Sequence, residues 1–200
     1  KVETLANKMV GQNLKTIIKK SKEKSGEQLV KISNLNFSSE DPFETNLKNI
    51  NFEVNRGECI GIAGISGNGQ SELFQILSGE IISENNSITL NNNPIGNLNP
   101  QERRKYLMAF SPEDRMEQAA IPQMKIFENV ALNNFKYSNF FKKGLIDEKK
   151  IKEHAKKILS EFSVNTDNVE LKSQFLSGGN LQKLIIGREL ITSPELLICF

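Results

Sequence analysis

The stretch that decides the fold is Gly64-Ile65-Ser66-Gly67-Asn68-Gly69-Gln70-Ser71. An apolar run, residues 59–63, precedes it, and residues 72–77 follow with the composition of a helix start. The pattern predicts a short buried strand, a glycine-rich loop and a helix. Glycines let the backbone curl until several N–H groups point into one concavity, and the helix dipole adds positive potential there. We therefore predict a phosphate-binding loop (P-loop).

One position departs from the usual P-loop pattern. Gln70 stands where that pattern has lysine, while Ser71 keeps the hydroxyl that binds Mg²⁺. A neutral hydrogen bond contributes about 1 kcal/mol, and one to a charged group about 1.5–3 kcal/mol. We predict that the loop still binds nucleotide while hydrolysis at this loop is impaired. A tight glycine turn with no ligand is the alternative that the loop alone leaves open.

A second glycine motif stands downstream. It reads Leu176-Ser177-Gly178-Gly179-Asn180 and runs into residues 181–190, which have helical composition. The Ser177 hydroxyl, bare backbone N–H groups and the helix dipole would all face one spot, which predicts a second anion-binding cap. Simple helix capping is the alternative. Pro194 and the apolar run 196–200 then predict a buried strand.

These two motifs, in this order and each before a helix, resemble those of the ATP-binding cassette family. The resemblance covers residues 29–200. It implies an α/β fold with a P-loop NTPase core, an antiparallel β subdomain and a helical subdomain. It also implies ATP and Mg²⁺ as cofactors, with Ser71 as the Mg²⁺ ligand. The implied nucleotide contacts are Gly64, Ser66, Gly67, Asn68, Gly69, Gln70, Ser71 and Glu72. The implied signature loop is Leu176, Ser177, Gly178, Gly179 and Asn180.

A closer resemblance is to the second cassette of tandem-cassette importers for simple sugars and nucleosides. Residues 67–73, 111–115 and 177–180 carry it, and the variant Gln70-Ser71-Glu72 favours the nucleoside branch. Residues 1–27 are expected to be the end of a preceding cassette plus a linker. Residues 28–200 are expected to be the nucleotide-binding domain, cut before the Walker B carboxylates. The expected catalytic base and switch histidine would then lie beyond Phe200, and both chain ends look cut.

The resemblance also implies an assembly. ATP would lie between the P-loop of one cassette and the signature loop of a second cassette in the same polypeptide, and ATP hydrolysis by the whole protein would drive transport. Membrane permease subunits and an extracellular solute-binding protein would be the further partners, at the cytoplasmic face of the plasma membrane. Glu113 is the candidate for coupling to the membrane partner, in place of the family's usual glutamine. Phe43, in the loop 38–45, is the candidate adenine-stacking residue, and Phe37 is expected to be core packing.

Composition limits the competing functions. Lysine and arginine total 26 against 24 acidic residues, a net charge of +2 that argues against a nucleic-acid or ribosome partner. A non-catalytic, nucleotide-sensing or structural cassette remains the main alternative to an importer ATPase. No apolar stretch approaches the ~20 residues that cross a bilayer, and no signal peptide is visible, so a cytosolic chain is expected. Cys59 and Cys199 are expected to be buried free thiols, and His154 a surface histidine on the polar face of its helix.

Local patterns predict the remaining elements. Apolar residues alternate at Val30 and Ile32, at Leu35 and Phe37, and again at positions 50, 52 and 54, which predicts strands. Residues 87–90, before an Asn-rich turn, predict another strand. Helices are expected over residues 100–104, 127–132 and 147–162, the last with an apolar face.

Overall fold

The computed structural model describes residues 26–134, 140–142 and 145–200 of the 200-residue chain. Residues 1–25 of the expected cassette end and linker lie outside the described residues. The strands are β1 Gln28–Phe37, β2 Leu47–Asn55, β3 Ile88–Leu90, β4 Asn93–Pro94, β5 Met108–Ser111, β6 Phe141–Lys142, β7 Leu145–Ile146 and β8 Leu196–Cys199. The helices are α1 Gln70–Ser78, α2 Pro100–Arg104, α3 Ile126–Asn134, α4 Glu148–Glu161 and α5 Gly178–Leu190.

An antiparallel sheet with strand order β2-β1-β3-β4 forms the first layer. The alternating apolar residues of β1 point to one face, where Leu35 is fully buried and Val30 and Ile32 are almost so. That face packs on α1 and on the parallel pair β5–β8, and together they form one core. The predicted antiparallel β subdomain and P-loop core are thereby confirmed.

A second core lies between three helices, α3, α4 and α5. Ile151, Ala155 and Ile158 recur along one face of α4 and are buried, as the 3.6-residue period requires. Asp147 caps α4 by accepting a hydrogen bond from the Lys150 amide, so the helix begins and ends within one residue of its predicted bounds. These elements form the expected helical subdomain, and the α/β fold class is confirmed. Within the described part of the chain, every helix is too short or too polar to cross a bilayer.

The predicted buried strand before the P-loop is wrong. Residues 59–63 are exposed and join no strand ladder, and Ile62 keeps 54% of its surface exposed. An apolar cavity of about 560 Å³ separates this segment from α1 and β8. A buried parallel strand needs hydrogen-bonding neighbours, and none of the described strands pairs with this segment.

The expected burial of the two cysteines is also wrong. Cys59 and Cys199 both border this cavity and are exposed rather than buried, each as a free thiol. His154 also departs from its expected surface position. It is half-buried, with its ring edge-on to Phe140 at 5.5 Å between centroids. Burial lowers the pKa of His154, because the apolar contact disfavours the charged imidazolium.

Candidate nucleotide-binding site

The P-loop has the backbone geometry of an anion nest. Gly67 and Gly69 lie at φ angles of 84° and 94°, a left-handed region that side chains disfavour. Gly69 is the N-cap of α1 and offers no side-chain oxygen to the first-turn amides. Asn99, Asp147 and Ser177 supply such an oxygen at the starts of α2, α4 and α5. The first turn of α1 therefore lacks the side-chain acceptor that these three helices have, and it can take an anion instead.

Gln70 lacks the charge of a lysine and also makes a hydrogen bond within the loop. Its Nε2 atom donates a hydrogen bond of 3.2 Å to the carbonyl oxygen of Ile65, across the loop. The amide lies so close to Gly64 that a Cβ at position 64 would collide with it. The side chain therefore bridges the two sides of the loop. A lysine would offer an ammonium group to phosphate oxygens, whereas this amide must first leave its own carbonyl.

Two hydrogen bonds from Thr45, in the loop between β1 and β2, connect the P-loop to the β subdomain. The hydroxyl of Thr45 donates to the carbonyl oxygen of Gly67 at 2.8 Å, and the Thr45 amide donates to Glu72 Oε1 at 2.8 Å. Glu72 is 8% exposed, so its carboxylate is committed to this contact. Its predicted direct contact with nucleotide stays a prediction. Thr45 itself was missed, because nothing in its local sequence marks a contact across 22 positions of the chain.

The candidate adenine-stacking residue lies in the same loop as Thr45. Phe43 is 93% exposed and stands two positions before Thr45, and its amide donates to Asp41 Oδ1 at 2.9 Å. An exposed ring carried beside a nucleotide loop suits stacking on a base. Phe37, the alternative, packs against the sheet core as expected. Stacking by Phe43 stays a prediction.

Ser71 and Glu113 line one groove of about 410 Å³, together with Asp114 and Gln118. A hydroxyl and a carboxylate are the hard oxygen ligands that suit Mg²⁺, which completes its shell with phosphate oxygens and water. The residues present therefore fit a Mg²⁺–nucleotide complex. Among the described residues, no cluster of three or more His, Cys, Asp or Glu side chains could hold a metal without such help.

The signature loop presents its donors outward. Leu176 is 9% exposed and anchors the loop in the helical core, while Ser177, Gly178 and Gly179 are exposed. The Ser177 oxygen accepts hydrogen bonds from the amide and the side chain of Asn180, at 3.4 and 3.0 Å. Both bonds use Ser177 as acceptor, which leaves its hydroxyl hydrogen available to donate to an anion in front of α5.

Comparison with known proteins identifies the family of this chain. The family model described as ABC transporter matches residues 47–199. The chain belongs to the ABC transporter family. It is 34% identical over 196 residues to the nucleoside import ATP-binding protein NupA of Lactococcus lactis subsp. cremoris, covering 98% of this chain and 38% of that protein. It is 33% identical over 197 residues to the ribose import ATP-binding protein RbsA of Clostridium tetani, covering 98% and 37%.

Solved structures agree on the fold of this ABC chain. A dimeric post-hydrolysis structure of the ATP-binding cassette MJ0796, bound to ADP and Pi, matches with a TM-score of 0.66 at 24% identity, covering 86% of this chain and 73% of that one. By contrast, the chain spans only about two fifths of the length of the curated relatives it matches. Recognition of the family from its two glycine motifs is confirmed.

Two arginines of this ABC chain were not singled out from the sequence. Arg103 is fully buried and donates to the carbonyl oxygens of Ile76 and Leu77 at the end of α1, at 2.6 and 2.9 Å. Burial lowers the pKa of Arg103 to about 10. Arg104 donates to Glu189 of α5 at 2.8 Å. Arg103 thus contacts the end of α1, and the next residue, Arg104, contacts α5. No sequence motif marks either contact.

Proposed function

We propose that this chain is an ATP-binding cassette of an importer for a simple sugar or a nucleoside, with two unequal nucleotide contacts. Its own P-loop binds Mg²⁺–ATP weakly, and its signature loop completes the ATP site of a second cassette. The observation that carries this is the pair of outward-facing helix starts, α1 and α5, of which the first has Gln70 where a lysine would stand. The dimeric MJ0796 cassette with ADP and Pi supports a paired arrangement.

The geometry gives each loop a separate task. The first-turn amides of α1 cradle phosphates while Ser71 and Glu113 face the metal side of the groove. At the other loop, the Ser177 hydroxyl and the amides of α5 close over the terminal phosphate of the facing nucleotide. Phosphoryl transfer relies on positioning and charge neutralisation, so removing the lysine cation slows turnover at the first site more than at the second.

The relatives' names and the residue patterns favour a nucleoside or a simple sugar as the transported solute. NupA is named for nucleoside import and RbsA for ribose import, and the Gln70-Ser71-Glu72 variant favours the nucleoside branch. In the proposed assembly, residues 1–27 end a preceding cassette of the same polypeptide. Permease subunits and an extracellular solute-binding protein complete the importer at the cytoplasmic face of the membrane. Glu113 transmits the state of the nucleotide groove to the permease.

Steady-state ATP hydrolysis by the full tandem protein tests the proposal. Ser177→Arg, which fills the space in front of α5, is expected to abolish turnover. Gln174→Arg adds the same side chain three positions earlier, on an exposed residue, and is expected to leave turnover unchanged. If Ser177→Arg retains parental turnover, the signature loop serves no working site and the proposal fails.

Nucleotide affinity tests the other loop. Gln70→Lys replaces a neutral donor with a charged one, and a gain of about 0.5–2 kcal/mol corresponds to roughly 2- to 30-fold tighter ATP binding. Gln28→Lys adds the same charge at the start of β1, opposite Asn55 in the sheet, and is expected to bind as the parent does. Equal affinities for all three proteins would favour the alternative, a structural cassette whose own loop takes no nucleotide.

A further inference from the structure

Arg115 lies against the signature loop. It opens a single turn of π-helix, Arg115–Ala119, between β5 and α3. A Cβ built on Gly178 would stand 3.6 Å from Arg115 Nη1, so the guanidinium borders the first turn of α5. Arg115 is exposed, and none of the residues that the structure describes forms an ion pair or a hydrogen bond with its side chain. A cation thus stands beside the free donors of the signature loop.

We propose that Arg115 is a phosphate-positioning residue of the signature loop, contacting the terminal phosphate of the nucleotide that the facing cassette holds. This rests on the proposed function, because the signature loop must face a nucleotide. Ser177 and the first-turn amides of α5 supply only neutral donors. A guanidinium supplies charge and a planar pair of donors that fits two phosphate oxygens at once.

The backbone around Arg115 is fixed, which distinguishes it from an ordinary solvated arginine. The Asp114 carboxylate accepts hydrogen bonds from the amides of Met116 and Glu117, at 2.8 and 3.0 Å, so it caps the turn and does not pair with its neighbour. The Ala119 amide closes the turn by donating to the carbonyl oxygen of Asp114 at 3.0 Å. Ala119 is 6% exposed and belongs to the helical core. The turn is therefore anchored at both ends, and π-helical turns are frequent at functional sites.

The position of Arg115 also connects the two nucleotide contacts. Glu113, two positions earlier, lines the groove that contains Ser71 of this chain's own P-loop. Arg115 borders Gly178, which serves the other nucleotide. Residues 113–115 thus extend from the Ser71 groove to the signature loop. Asp114, which caps the turn, fixes the backbone between Glu113 and Arg115.

Steady-state kinetics of the full tandem protein test the proposal. Arg115→Gln removes the charge and the fork, and we expect kcat to fall roughly 10- to 100-fold with a small change in KM for ATP, because the contact acts on the transferred phosphate. Arg115→Lys keeps the charge but loses the planar pair of donors, so its kcat is expected to lie between those of the parent and Arg115→Gln. Lys172→Gln removes a lysine from an exposed position five residues before Ser177 and is expected to match the parent.

The outcomes separate this inference from the proposed function. If Ser177→Arg abolishes turnover while Arg115→Gln stays within twofold of the parent, Arg115 has no such role and the proposed function stands. If Arg115→Gln and Arg115→Lys lose equal activity and both melt earlier than the parent, the residue is structural and the inference fails. If Ser177→Arg itself leaves turnover intact, both ideas fail together.

Discussion

Glu189 joins the two cores of the cassette, and its charge can be removed with little change of shape. The side chain is 1% exposed, near the end of α5. Its Oε2 accepts from Arg104 Nη1 at 2.8 Å, and its Oε1 accepts from Arg188 Nε at 3.2 Å. Asn133 of α3 also donates to Oε1. One carboxylate thus holds groups from the P-loop core and from the helical subdomain.

Glu189→Gln keeps the volume but removes the negative charge that Arg104 and Arg188 contact. Arg188 is almost fully buried, and this burial already lowers its pKa. Breaking one partner of a buried ion pair costs about 3–5 kcal/mol. The Arg104 side chain is 21% exposed and can regain water, which places the expected loss near the lower end, about 3 kcal/mol. With a urea m value of about 2–3 kcal/mol/M, the unfolding midpoint falls by roughly 1–1.5 M.

Urea denaturation of the full chain at pH 7, followed by far-ultraviolet circular dichroism, measures this shift. The matched control is Glu53→Gln. Glu53 pairs with Lys31 at 3.7 Å on the open sheet, where both side chains are half-exposed. Exposed pairs contribute about 1 kcal/mol or less, so the control midpoint should hardly move. A Glu189→Gln midpoint equal to that of the control would show that the buried cluster does not join the two cores.

Three further changes probe other contacts. Arg103→Met leaves the last carbonyls of α1 without their buried donor and should cost about 2–4 kcal/mol in thermal unfolding, whereas an unchanged melting temperature would contradict the cap. Thr45→Val removes the bond to Gly67 and should weaken ATP binding several-fold in a fluorescent-nucleotide titration, with Thr45→Ser keeping parental affinity. Burial lowers the pKa of His154 in the folded state, so the unfolded state takes up the proton first and stability falls as pH drops below about 6.5. His154→Phe should flatten that fall in unfolding curves between pH 7 and 5.5, and an equally steep fall would contradict it.

Elements defined by local patterns could be predicted from the sequence. The alternation at Val30 and Ile32 gave the strand β1, and the spacing of Ile151, Ala155 and Ile158 gave the helix α4, because period two and period 3.6 each mark a single buried face. Ser177 as the N-cap of α5 followed from the same kind of local chemistry.

Features that depend on distant partners could not be predicted in this way. Residues 59–63 have the composition of a buried strand, yet a parallel strand exists only where a neighbour offers its hydrogen bonds. The exposure of Cys59 follows from that one difference. The contact of Arg104 with Glu189 joins positions 85 apart, and that of Thr45 with Glu72 joins positions 27 apart. Neither contact leaves a local pattern in the sequence, because charged and hydroxyl residues are also common on exposed surfaces where they make no such contact.

Three contacts support the P-loop independently of Gln70. Thr45 holds Gly67 from one side, the buried Glu72 holds Thr45, and Arg103 caps the far end of α1. None of these three contacts involves position 70, so they remain whichever side chain stands there, and only the hydrogen bond to the Ile65 carbonyl depends on Gln70. Gln70 in the place of a lysine would therefore leave out a charge while the other supports of the loop stay in place. We expect Gln70→Lys to strengthen phosphate binding because these supports are in place, whereas a loop without them would gain nothing from the added charge.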